Sequence, residues 1–292
     1  MKIQTECVSC LIKRIIFEAE QSTKDKKKQT EVIQNAVKLI GELYDPNECS
    51  VTIATKVHKV VYETLGDKDP YKDLKKRSNK VAEALLPKVE ELVSKSDDPL
   101  KTSMLCSIIG NLLDFGIEGA SNNPELLLDF FEEGIEEGLG WDDSEKLKDL
   151  IKNSKKVILF IDNCGEFTFD KILCREIKKF NPDLKLTLVV KGKPVLSDAT
   201  IEDAQELNFE EVVDEILTTG CFAVGVDFKQ LPDDLKKALD KADLIICKGM
   251  ANYEAFSETN YKPIAYLMRT KCKPIADSSG IPVNINAVKV FE

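Results

Sequence analysis

The chain has 292 residues, 43% of them hydrophobic and 32% charged, with a formal net charge of −10. That length suits one large or two moderate domains. The negative balance argues against nucleic acid as the main partner, because phosphate backbones recruit positive surfaces. Apolar runs of about five residues fall far short of the ~20 that span a bilayer, so no membrane role is expected.

The first half reads as helix nearly throughout. Helical periodicity covers Cys10 to Glu20, Glu31 to Tyr44, Val51 to Leu65, Lys72 to Ser94, Lys101 to Gly116 and Pro124 to Gly138. Turn signals such as Asp45-Pro46-Asn47, Asp69-Pro70-Tyr71 and Ser121-Asn122-Asn123-Pro124 separate these stretches. Cys7 and Cys10 form a C-x-x-C with no second pair to complete a zinc site, which favours two buried structural thiols on one helical turn. Completion of a metal or redox site by a distant thiol such as Cys106 is the alternative. An odd count of nine cysteines without a leader-like segment suits reduced thiols in a cytoplasmic protein. The single histidine, His58, rules out His-rich metal sites and lies in a Lys-rich helix, where a surface position is expected; the Lys24 to Lys28 run likewise reads as solvated. Asn111 and Asp114, at i and i+3 in Gly110-Asn111-Leu112-Leu113-Asp114-Phe115-Gly116, share one helix face. That segment is either a glycine-capped helix end or a polar site on an apolar face.

From Lys155 the texture changes to short β-branched runs: Val157 to Ile161, Leu186 to Val190, Leu244 to Cys247, Ile264 to Met268 and Val288 to Phe291. Helical stretches alternate with them at Phe167 to Phe180, Ala199 to Leu207 and Leu235 to Lys241. Such alternation builds a parallel sheet from βαβ units. The expected fold is α/β: a helical N-terminal domain, residues 1–152, packed tightly on a Rossmann-like, doubly wound, mainly parallel sheet domain, residues 153–292.

Asp162-Asn163 directly follows the first apolar run, at the carboxyl edge where open α/β sheets bind ligands. Alone, the pair reads equally as an Asx turn with a helix N-cap or as two hard oxygen ligands for Mg²⁺ or Mn²⁺. Asp198 follows the second run. If those two strands are adjacent and parallel, three oxygen ligands converge on one crevice, which favours the metal reading over a cap. Lys248-Gly249, after the strand at Leu244, offers an ammonium and free N–H groups to an anion. Lys271 is a second candidate cation, with a solvated lysine as its ordinary alternative. Neither G-x-x-x-x-G-K-[ST] nor G-x-G-x-x-G occurs, so nucleotide binding has no motif support.

These segments, in this order, resemble the damage-control phosphatase family, long described as domain of unknown function 89. The matching blocks are D-N-C-G-E at Asp162 to Glu166, the K-G-K-P…S-D-A-T block that contains Asp198, and K-G-M-A-N-Y-E at Lys248 to Glu254; Cys7/Cys10, Asp69-Pro70-Tyr71 and Gly110 to Gly116 match in the helical half. The N-terminal C-x-x-C is similar to the archaeal-type branch. The resemblance implies a divalent-metal-dependent phosphatase, with Mg, Mn, Co or Ni, acting on sugar phosphates or damaged phospho-metabolites. It carries the metal ligands to Asp162, Asn163 and Asp198, and substrate contacts to Asn111, Asp114, Lys248, Asn252 and Glu254. Lys271 matches a phosphate-binding lysine within the divergent Arg269-Thr270-Lys271-Cys272. The implied chemistry is hydrolysis by water oriented by Asp114 or Glu254, or attack by an Asp as covalent nucleophile. Two other functions stand beside it: S-adenosylmethionine-dependent carboxyl methyl transfer, for which D-N-C-G-E is a poor glycine-rich loop, and non-catalytic metal or ligand binding.

Overall fold

Residues 1–111 and 127–292 are described by the computed structural model, with side chains from 131 onward in the second span. The N-terminal helices are α1 (Thr5–Ser22), α2 (Lys26–Leu43), α3 (Ser50–Leu65), α4 (Lys72–Lys95), α5 (Pro99–Gly110) and α6 (Leu127–Glu137). Local chemistry fixes several ends. The Asp25 side chain accepts from Lys27 N at the start of α2, Asp98 does so from Lys101 N at α5 where Pro99 takes the first turn, and Gly66 closes α3 at φ +69°.

Then follow β1 (Trp141–Asp142), α7 (Ser144–Asn153), β2 (Lys156–Phe160), α8 (Glu166–Phe180), β3 (Lys185–Val190), α9 (Ile201–Glu206), β4 (Glu215–Thr218), α10 (Asp233–Leu239), β5 (Leu244–Lys248), α11 (Gly249–Phe256), β6 (Ile264–Arg269), α12 (Lys273–Ser279) and β7 (Asn286–Phe291). Among the described residues the strands form one seven-stranded sheet in the order β1-β7-β6-β5-β2-β3-β4. Every neighbouring pair is parallel except β6 and β7. This is the expected mixed α/β fold with a mainly parallel sheet. The chain runs outward from β2 through β3 to β4, then returns to β5 on the other side of β2. The boundary between β2 and β5 is therefore the topological switch point, where a crevice opens at the carboxyl edge.

The sheet draws on residues ahead of 153. β1 pairs with β7, so the edge of the sheet begins at Trp141 rather than at the expected domain boundary. Packing also crosses that boundary. One buried cluster joins Val32, Ala36 and Val61 of the helical half to Ile158, Phe160 and Val189 of the sheet, while Val157, Leu159 and Leu188 belong to a second cluster. Apolar burial on both faces explains why β2 and β3 read as continuous apolar runs. No helix among the described residues is long and apolar enough to cross a membrane.

Candidate active site

Backbone pairing brings the two acidic turns together. β2 and β3 pair from Lys156↔Lys185 to Phe160↔Val189, and the zipper continues beyond the strands. Ala199 N donates to Asp162 O at 2.9 Å, Cys164 N to Ser197 O at 2.8 Å, and Asn163 bridges Asp198. Asp162, Asn163 and Asp198 thereby line one cavity of about 140 Å³, each of them buried. None caps a helix: the N-cap of α8 is Gly165 and that of α9 is Thr200, whose N–H and hydroxyl both donate to Asp203. The helix-cap positions that the sequence offered to these residues are held by Gly165 and Thr200.

A polar scaffold underlies this cluster. Asn111 Nδ2 donates to Asp162 Oδ2 at 2.9 Å and to Glu166 Oε1 at 2.8 Å. Asn163 Nδ2 donates to the same Asp162 oxygen at 2.9 Å, and Ser197 Oγ donates to Asn163 Oδ1 at 2.5 Å. Glu166 also accepts from Asn163 N at 2.9 Å. Gly249, at φ +73°, lies so close that a Cβ there would stand 1.8 Å from Asp162 Oδ2. Only glycine combines that conformation with that approach. The helical half braces the turn from outside: Asn79 Oδ1 on α4 accepts from Gly165 N at 2.7 Å, and Tyr62 Oη on α3 accepts from Leu196 N at 3.0 Å.

Lys248 differs from its expected role. Its ammonium is fully buried, donating to Ser107 O at 3.0 Å and Asp170 Oδ1 at 2.9 Å, with Glu166 Oε2 at 3.3 Å. Burial opposes the charge, but Asp170 and Glu166 outweigh it and hold the Lys248 pKa above the ordinary lysine value. Burial raises the Glu166 pKa, with Lys248 opposing. Lys248 therefore meets carboxylates of the scaffold instead of the cavity, because β5 is interior and its end faces α5 and α8. Asn252 likewise is not among the residues lining the cavity: its Nδ2 donates to Ile161 O at 3.0 Å and Lys248 O at 2.8 Å, tying α11 to the segment after β2.

Glu254 does line the cavity, where its Oε2 accepts from Ser50 Oγ. Lys271 is 8% exposed, and its backbone N–H meets Sδ of the cavity-lining Met250 at 3.4 Å. Asp114 lies outside the described residues. His58 is not on the surface: it is 1% exposed, with Nδ1 2.9 Å from Glu18 Oε1 and 3.0 Å from Oε2. The inward face of α3 accepts a histidine because α1 supplies this carboxylate. Cys7 and Cys10 are half-buried and line the cavity, where Cys272 is the third thiol; Cys106 sits elsewhere, on α5. Burial raises the Cys7 pKa to about 11 and the Cys272 pKa to about 12.

Sequence reasoning missed Glu166, Asp170, Ser197 and Lys191. Lys191 is buried, its ammonium donating to Gly225 O and 3.1 Å from Asp198 Oδ2. The available signal was Glu166 and Asp170 at i and i+4 near the start of an otherwise apolar helix face. Among the described residues no three His, Cys, Asp or Glu side chains group to hold a metal. The donor set on offer is two carboxylates and one carboxamide, all oxygen donors in one buried cavity, with the Asp162 carboxylate packed against the Gly249 backbone. That set fits a hard divalent cation, which takes few protein oxygens. A wider groove of about 600 Å³ next to the cavity is lined by Tyr253, Phe256, Tyr261 and Tyr266 and by none of the described candidate residues.

Comparison with known proteins bears on this geometry. The family described as damage-control phosphatase ARMT1-like domain matches residues 3–285. A protein of Archaeoglobus fulgidus named "Damage-control phosphatase" is 43% identical over 292 residues, covering 100% of both chains. "Damage-control phosphatase PH1575" of Pyrococcus horikoshii is 29% identical over 283 residues, covering 97% of this chain and 96% of that one. A crystal structure of a DUF89 family protein from Pyrococcus horikoshii superposes with a TM-score of 0.89 at 28% identity, covering 100% of both chains.

Proposed function

The chain belongs to the damage-control phosphatase ARMT1-like family, and we propose that it is a divalent-metal-dependent phosphomonoesterase of small phosphorylated metabolites, acting in the cytoplasm. The observation that carries this reading is the convergence of Asp162, Asn163 and Asp198 in one buried cavity at the switch point, with none of them used as a helix cap. Nine free cysteines support the cytoplasmic setting.

Asp162, Asn163 and Asp198 would hold Mg²⁺, Mn²⁺, Co²⁺ or Ni²⁺. When bound, the cation would neutralise and polarise the phosphoryl group. The chain's own residues do the rest. Asn111 and Gly249 fix the Asp162 carboxylate, Ser197 fixes the Asn163 amide, and Lys191 balances Asp198. Lys248 holds Glu166, which in turn orients Asn163 and Asn111, so its charge acts by positioning. By the family resemblance Lys271, whose backbone meets the cavity-lining Met250, would be the cation for charge that spreads over the phosphoryl oxygens. Glu254, steadied by Ser50, is the carboxylate that would take a proton from the attacking water.

A screen of phosphate release over a panel of phosphorylated metabolites, with each cation and with chelator, tests the reading. Release that needs the cation and falls at least about 10³-fold in a folded Asp162→Ala variant is expected. Release near the parent rate in Asp162→Ala would refute the assignment.

A further inference from the structure

Ser50, Ala54 and His58 stand at i, i+4 and i+8 on α3, and all three line the cavity that holds Asp162, Asn163 and Asp198. At a helical rise of 1.5 Å per residue this stripe runs about 12 Å from Ser50 to His58. At its near end Ser50 Oγ donates to Glu254 Oε2. At its far end the His58 Nδ1 lies 2.9 Å from Oε1 and 3.0 Å from Oε2 of Glu18, which is fully buried on α1. A carboxylate accepts, so Nδ1 carries the proton between them. That bond fixes the tautomer and orientation of the ring and leaves Nε2 as the nitrogen for the cavity. Apolar residues would fill this place without the desolvation cost of an acid and an imidazole, so the fold alone does not call for the pair.

Phosphoryl transfer sets the attacking and leaving oxygens roughly in line on opposite sides of phosphorus. Glu254, at the Ser50 end, is the carboxylate assigned to the attacking water, so a group at the other end of the stripe meets the leaving oxygen. We propose that His58, oriented by Glu18, is the general acid of the reaction. As the bond from the water oxygen to phosphorus forms, Glu254 takes the water proton. As the bond from phosphorus to the ester oxygen breaks, its electron pair stays on that oxygen, which receives the proton of His58 Nε2 while Nδ1–H stays on Glu18. The products are an alcohol and phosphate, and proton exchange with solvent restores both side chains. The substrates are accordingly phosphate esters of aliphatic hydroxyls, whose departing oxygen needs that proton. The proposal rests on the phosphatase reading of Asp162, Asn163 and Asp198.

Leaving groups separate a proton donor from a structural pair. Glycerol 3-phosphate must expel an alkoxide, whereas 4-nitrophenyl phosphate expels a phenolate that is stable without a proton. With each divalent cation in turn, the full chain should release phosphate from both, with kcat values within about 10²-fold of one another. His58→Gln should lower the ratio of glycerol 3-phosphate to nitrophenyl phosphate kcat by about 10²-fold or more, the usual worth of a positioned acid. Glu18→Gln should lower the same ratio by about tenfold or more, because Nδ1 then meets a neutral amide. Release from nitrophenyl phosphate alone by the parent, or an equal fall for both probes in His58→Gln, overturns the proposal and leaves the phosphatase standing. Release from neither probe under any cation removes the phosphatase reading and the proposal with it. If His58→Gln does not keep the parent melting temperature, the parent comparison and Glu18→Gln decide, and an unchanged ratio in Glu18→Gln overturns the proposal.

Discussion

Asp162 and Asn163 were legible because they follow an apolar run directly and Asp198 because it lies in the turn after the next run, and parallel pairing of adjacent strands does the rest. Lys248 was legible as a functional cation but not as a buried one, since its partners Glu166 and Asp170 lie on a helix about 80 residues earlier in the chain. The same holds for His58, whose carboxylate is on another helix. Long-range ion pairs leave no local pattern. Two substitutions follow at this scale. Lys248→Met should destabilise the fold by about 3–5 kcal/mol, because it strands two buried carboxylates; a denaturant titration showing parent stability, with a raised KM alone, would return Lys248 to the substrate. Gly249→Ala should lower the rate by about 10² or more by pushing Asp162 aside, and it should destabilise by about 1–3 kcal/mol through the positive φ. A fully active Gly249→Ala variant would mean that the Asp162 position is not critical.

At the scale of elements, the central strands were readable to within two residues because both of their faces are buried, which concentrates β-branched residues. β1 and β4 were not. β1 has two residues, and β4 is an edge strand whose four residues are all half-buried, so neither carries an apolar run. The contacts between helices also lie beyond periodicity. Arg175 on α8 donates from Nη1 to Glu90 Oε1 at 2.8 Å and from Nη2 to Oε2 at 2.7 Å, clamping α4 to α8. The hydrogen bond from Arg175 lowers the Glu90 pKa below the usual carboxylate range. A depressed folded-state pKa stabilises the fold above the unfolded value of about 4.3, and the contribution is lost as pH falls through the folded value. The melting temperature of the parent should therefore exceed that of Glu90→Gln at pH 7, and the gap should close on acidification below about pH 4. A gap that persists unchanged to pH 2.5 would assign the effect to packing.

Across the whole molecule, composition distinguishes a helical half from an α/β half, but it cannot reveal that they share a core. The cluster running from Val32 through Phe160 to Tyr266 crosses that line, and α5 presses Gly110 against Glu166, where a Cβ would meet the Glu166 Cβ at 2.6 Å. The protein should consequently unfold in one calorimetric transition with matching calorimetric and van't Hoff enthalpies; two resolved transitions would mean that the halves are independent. The cavity itself is assembled from both, with Arg14 and His58 on one side and the sheet edge on the other, which is why no single segment announces it. The proposed function turns on a cation that Asp162, Asn163 and Asp198 would hold there. Titration of Mn²⁺ into the chelator-stripped protein by calorimetry tests this most directly. One site that disappears in both Asp162→Ala and Asp198→Ala, with their folds intact, is the expected result; unaltered binding in the two variants would contradict it.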